Sequence, residues 1–204
     1  MQFKYYDTLS ALITGTVLLF VLSLATDYDI QGTNVVILLA MAYILGYILN
    51  AVSAFLEPVF YWIMGGMPSD RLLTSPKPRR RGKMHNYTGF GRVRFYDYEK
   101  AIKYLKEELA DDNANTRKMF CKAMSYSNAD NNTRVPDFNA QYAFSRVILT
   151  LVIVSAIALA PQYYHIWWAW LIAVVIILLA GHRCKERGYY YAREVLIEYL
   201  KDKK

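Results

Sequence analysis

The longest apolar run in the chain, residues 33–64, is broken by small and polar residues at helical spacing. Stepping by three and four from Tyr43 meets Gly46, Tyr47, Asn50, Ser53, Ala54 and Glu57, which puts this segment's hydrogen-bonding residues on one face of a helix. As one helix the run would be ~48 Å long against a hydrocarbon core of ~30 Å, so it must leave a bilayer at one end. Segments 9–25, 35–55, 144–160 and 166–181 are each about the length that spans. The pattern predicts an all-α, polytopic membrane protein with four transmembrane helices and a small helical cytoplasmic domain.

This divides the chain into a first transmembrane hairpin (1–64, its second helix extending into the cytosol), a basic cytoplasmic domain (65–143), a second hairpin (144–181) and a cytoplasmic amphipathic helix (182–204). Helix one is expected to begin near Asp7 or Thr8, either of which can cap it, with Ser10, Thr14 and Gly15 as a small-residue packing surface. Pro58 predicts a bend over 54–58, and Gly65-Gly66 a sharp stop. Residues 70–95, with two prolines and three consecutive arginines, read as loop, with 92–95 a short strand or an extended arm. Asp97 is expected to cap a helix to about Ala110 with Ile102, Leu105 and Leu109 on its apolar side, followed by a helix over 115–126 presenting Met119, Phe120 and Ala123. Asp137 is expected to cap a helix that runs into the third span and ends at Pro161. In the tail, Tyr189, Ala192, Leu196, Tyr199 and Leu200 share an apolar side.

Charge sets the orientation. Placing 26–34 and 161–165 outside leaves all 24 Lys and Arg inside, with only Asp27 and Asp29 outside, so both termini are expected in the cytoplasm and the net charge of +7 is an inner-face property. Trp167, Trp168 and Trp170 suit an outer aromatic belt. Ser23-Leu24-Ala25 has the form of a signal-peptide cleavage site, but the start, Met1 to Asp7, lacks a positive region, which favours a retained helix. Cys121 and Cys184 both fall on the reducing side, and His182-Arg183-Cys184 offers too few ligands for structural zinc, so neither a disulfide, a metal site nor a cofactor is expected.

The polar face of the second span suits two roles. Gly46, Asn50 and Ser53 serve tight helix packing, and Glu57, near the inner interface, can pair with an arginine. In a homo-oligomer, Tyr43, Tyr47, Asn50, Ala54 and Glu57 would instead ring a symmetry axis and line a pore. The basic run likewise has a bland role, attraction to anionic membrane lipid at ~1 kcal/mol per residue. Its sharper role is ligand binding, in which Arg79, Arg80, Arg81, Lys83, Arg92 and Arg94 supply phosphate-pairing groups beside aromatic rings such as Tyr96. Positive charge around a cytoplasmic mouth would also collect anions. The sequence holds no phosphate-binding loop, zinc-protease motif or nucleophile elbow, and its three histidines are scattered, so a non-enzyme is expected.

Phe3-Lys4-Tyr5-Tyr6-Asp7, Gly46-Tyr47-Ile48-Leu49-Asn50, Gly65-Gly66-Met67-Pro68-Ser69 and Arg187-Gly188-Tyr189-Tyr190-Tyr191-Ala192-Arg193-Glu194 together carry a resemblance. The chain resembles the small four-helix membrane proteins of bacterial anti-phage defence operons, most closely the channel subunits of Hailong systems, with the membrane subunits of Kiwa systems a rival of the same type. The resemblance implies a homotetrameric channel of the inner membrane whose cytoplasmic part binds an oligonucleotide made by a partner nucleotidyltransferase, and which depolarises the membrane when that restraint is lost. A membrane-anchored sensor or scaffold that recruits a cytosolic partner through the basic domain is the alternative. A transporter is disfavoured by the absence of an internal repeat.

Overall fold

The computed structural model describes residues 2–28, 32–74, 93, 95–127, 133–201 and 203, with side chains of the first helix from Thr8 onward. The described residues form an all-α polytopic membrane protein: α1 (Gln2–Thr26), α2 (Val35–Met64), α3 (Pro68–Leu73), α4 (Tyr98–Leu109), α5 (Thr116–Ser127), α6 (Val135–Tyr163) and α7 (Trp167–Lys201). Residues Thr8–Thr26 of α1, and α2, α6 and α7, are long and apolar enough to cross a membrane. The chain divides into one compact unit of Met1–Phe60 and Ala140–Cys184, and a second of Tyr61–Asn139 and Lys185–Lys204.

In the first unit α1 and α2 approach until their backbones nearly touch. A methyl group on Gly15 would lie 1.7 Å from the Ala42 carbonyl oxygen, and one on Gly46 would lie 1.8 Å from that of Ala11. The small residues pair four apart on each helix, Ala11 with Gly15 and Ala42 with Gly46, which lets two helices pack through bare backbone. Further along, Leu18, Leu49, Val147 and Leu151 of α1, α2 and α6 make a common core with Leu22, Leu45 and Val154 against it. The buried hydroxyls close on their own helices: Thr14 donates to Ser10 O at 2.8 Å, Ser53 to Asn50 O at 2.7 Å, Ser145 to Tyr142 O at 2.8 Å and Thr150 to Arg146 O at 3.1 Å. Their apolar sides are then left for packing.

Helix boundaries depart from the sequence expectation in several places. α1 already begins at Gln2, and α6 begins at Val135, so Asp137 lies within its first turn, where a carboxylate favours the positive helix end without capping it. α2 continues through Pro58 to Met64, and α6 continues through Pro161 to Tyr163. α2 then stops as its two glycines predict. Gly65 and Gly66 take φ of 92° and 106°, Gly66 N–H donates to Tyr61 O at 2.7 Å and Gly65 N–H to Trp62 O at 3.4 Å, the paired bonds of a Schellman cap.

The second unit is built on one apolar core. Leu72 and Leu73 of α3, Tyr98, Ala101 and Leu105 of α4, Met119 and Ala123 of α5, Val135 of α6, and Tyr189, Ala192, Val195, Leu196 and Tyr199 of α7 meet in it. α3 corrects the expectation of loop from residue 70. Pro68 fits the first helical turn, Asp70 follows in that turn, and the two leucines bury the helix against the core. Asp70 Oδ1 accepts from the Thr116 hydroxyl at 2.7 Å, fixing α3 to the start of α5. Val93 and Phe95 are described without strand structure, and both are buried in the same core. Asp97 occupies the position before α4 but makes no side-chain cap; its carboxylate pairs with Lys100 at 3.5 Å. At the end of α2, Lys185 Nζ donates to Met64 O at 2.8 Å, setting a cation against the negative end of the helix. Burial, and behind it the charge of Arg71, hold the Lys185 ammonium below its ordinary pKa.

Candidate functional site

The polar face of α2 resolves into two stripes. Ala42, Gly46, Leu49, Ser53 and Phe60 are buried within the first unit, whereas Tyr43, Tyr47, Asn50 and Ala54 are exposed on it, Tyr47 at 66%. Helix geometry explains the split. At about 100° per residue, Gly46 and Ser53 lie about 60–80° around the helix from Tyr43, while Tyr47, Asn50 and Ala54 lie within about 40° of it. The small residues therefore flank the exposed stripe and make the seam with α1; they do not belong to it.

Glu57 sits between the stripes and is engaged within its own chain. Its Oε1 accepts from the Tyr142 hydroxyl at 2.8 Å and its Oε2 forms an ion pair with Arg146, both on α6. The Arg146 guanidinium also stands 5.6 Å from the centre of the Tyr142 ring. Side-chain exposure of 13% for Arg146 and 26% for Glu57 makes this a largely desolvated pair, in which each charge is the other's main compensation. Of the five residues expected at a pore, four are thus on a free surface of this chain and one is spent on an internal pair. Arg146 was legible as a snorkelling residue at the end of the third span. Its pairing with Glu57 was legible only as a pairing with some arginine, because nothing local connects positions 57 and 146.

Asn50 is the exposed residue with most chemical consequence. It lies about 22 Å along α2 from Val35, within a ~30 Å hydrocarbon layer, and its side-chain amide has no hydrogen-bond partner among the described residues. An amide left unpaired in hydrocarbon costs several kcal/mol, so this face requires water, another helix or another copy.

The expected ligand residues Arg79, Arg80, Arg81, Lys83, Arg92 and Arg94 lie outside the described residues. Tyr96 is described, just before α4, and is 76% exposed. Among the described residues no group of three His, Cys, Asp or Glu side chains is arranged to hold a metal ion. The first unit carries two clefts, of about 440 Å³ beside Leu22, Leu38 and Met41 and about 270 Å³ beside Leu159, Trp168 and Ile172; both are mainly apolar. No family model, curated protein or solved structure matches the chain.

Proposed function

We propose that this protein forms a homo-oligomeric ion channel, tetrameric as the resemblance implies, in a bacterial inner membrane with both termini cytoplasmic. The Tyr43–Tyr47–Asn50–Ala54 stripe of α2 faces the conduction path, and an oligonucleotide or nucleotide bound by the cytoplasmic unit gates it. Such a channel serves as an anti-phage defence effector whose opening depolarises the cell. The observation that supports this most is the exposed amide of Asn50 at membrane depth: the same side chain in each of several copies around an axis would meet water and its symmetry mates instead of lipid.

A ligand can hold such a gate only if it binds one state more tightly than the other; a shift from mostly closed to mostly open requires about 5.5 kcal/mol of difference. The test is conductance of the purified protein in planar bilayers under a salt gradient, for the native chain and for Asn50→Asp. The native chain is expected to conduct, and the added carboxylates to move the reversal potential toward that of cations. A protein that inserts and carries no current overturns the channel, and one that instead co-purifies with a cytosolic protein becomes a membrane-anchored scaffold. Current with an unchanged reversal potential removes α2 from the pore.

A further inference from the structure

Where α6 begins, a row of two aromatic rings with a cation at each end runs across the surface of the second unit onto α7. The Arg134 guanidinium lies 5.4 Å from the centre of the Phe138 ring, Phe138 lies 6.4 Å from the Tyr190 ring at an interplanar angle of 34°, and the Arg193 guanidinium lies 5.3 Å from Tyr190. Helical spacing builds it: Arg134 lies just before Val135, one turn from Phe138, and Tyr190 and Arg193 are three apart on α7. The neighbours of Tyr190 are used otherwise. Tyr189 is in the core, and Tyr191 meets the edge of Phe120 at 6.4 Å.

Among the described residues neither guanidinium forms an ion pair with a carboxylate. Asp137 and Glu194 share these turns, yet no ion pair joins either to Arg134 or Arg193 among the described residues, and Arg193 Nε is buried with no hydrogen-bond partner. Arg134 is exposed, and Phe138, Tyr190 and Arg193 are half-buried. A guanidinium stacked on a ring keeps its N–H edge free and fixed in direction, the arrangement that receives two phosphate oxygens side by side. Rings between such forks offer a face for an unstacked base, which a lipid headgroup or an acidic peptide cannot use.

We infer that Arg134, Phe138, Tyr190 and Arg193 form a binding surface for single-stranded nucleic acid, with the two guanidiniums on phosphates and the two rings against bases. This rests on the ligand class proposed above and moves its contact onto the α6–α7 surface, away from the arginine run at 79–81.

The test is fluorescence anisotropy of the full-length protein in detergent with a fluorescein-labelled, mixed-sequence single-stranded DNA of eight nucleotides. The native chain is expected to bind, Tyr190→Leu to weaken binding by roughly 5- to 100-fold, as loss of one stacked base does, and Arg134→Lys, an exposed and conservative change, to weaken it measurably while preserving the thermal melt. No binding by the native chain overturns the surface. So does binding that both variants retain, or that dextran sulfate displaces as well from Tyr190→Leu as from the native chain, since either means charge alone. The outcome is separate from conduction. Binding that behaves as expected in a protein without current sinks the channel and leaves this surface standing, and current with the variants binding normally does the reverse.

Discussion

Arg146 of α6 forms an ion pair with Glu57 of α2, and the Tyr142 hydroxyl, one turn before Arg146, completes the carboxylate at 2.8 Å. Removing one partner leaves the other charge in a largely desolvated place. Arg146→Met or Glu57→Ala is expected to lower stability by about 1.5–3 kcal/mol, the range for a hydrogen bond to a charged group. The double substitution should cost less than the sum of the two, because it leaves no orphan charge. Thermal unfolding of the four proteins in one detergent measures the coupling; strict additivity would mean that the pair contributes nothing.

The α1–α2 seam has no room for a side chain at its two crossing points. Gly46→Val places a branched side chain where the Ala11 carbonyl already lies within 1.8 Å of an added methyl, and Gly15→Val does the same against Ala42. Both are expected to separate the helices and abolish a cooperative melt. Gly32→Ala, with nothing within 4 Å, is the matched control and should leave the melt unchanged. Protease resistance of the folded protein provides a second readout.

Ala110 ends α4 in the left-handed conformation, with φ of 48°, and the bond from Asp111 N–H to Lys106 O at 3.4 Å closes the turn around it. A side chain there is strained by about 1–2 kcal/mol. Ala110→Gly is therefore expected to stabilise the second unit by about 1 kcal/mol after the added flexibility of its unfolded chain is subtracted. A denaturation midpoint that falls would refute the strain.

The two thiols differ in access: Cys121 is exposed and Cys184 is buried at 2%. A maleimide is expected to label Cys121 rapidly and Cys184 only after unfolding. With both termini cytoplasmic, a membrane-impermeant maleimide should reach Cys121 in inverted vesicles and not in intact cells. Labelling from outside would reverse the proposed orientation.

The sequence made the spans and the helical faces legible because both depend on period and length. Tyr189, Ala192, Leu196 and Tyr199 fall on one side of a 3.6-residue repeat, and all four are in the core. Where the expectation failed, local signals competed. Pro68 and the preceding glycines read as a stop, so α3 was hidden behind them, although a proline is well suited to a first turn. Val93, between Arg92 and Arg94, and Phe95, directly after Arg94, were hidden by these arginines, which announce surface although both apolar side chains are buried. On α2, steps of three and steps of four were merged into one stripe, yet they drift in opposite directions around the helix and separate a packing seam from a free face. The partnership of Arg134, Phe138, Tyr190 and Arg193 needs two helices brought together from distant parts of the chain, and no local pattern encodes it.

The Glu57–Arg146 pair also bears on what can move these helices. Within the apolar reaches of the four spans it holds the charged side chains, one of each sign at a shared depth. A transmembrane voltage does work of about 2.3 kcal/mol per 100 mV on a unit charge carried across the whole field. Moving a neutral pair together yields almost none of this. The membrane potential therefore has little grip on this pair, and in the proposed channel the free energy of gating would have to come from ligand binding instead of from voltage.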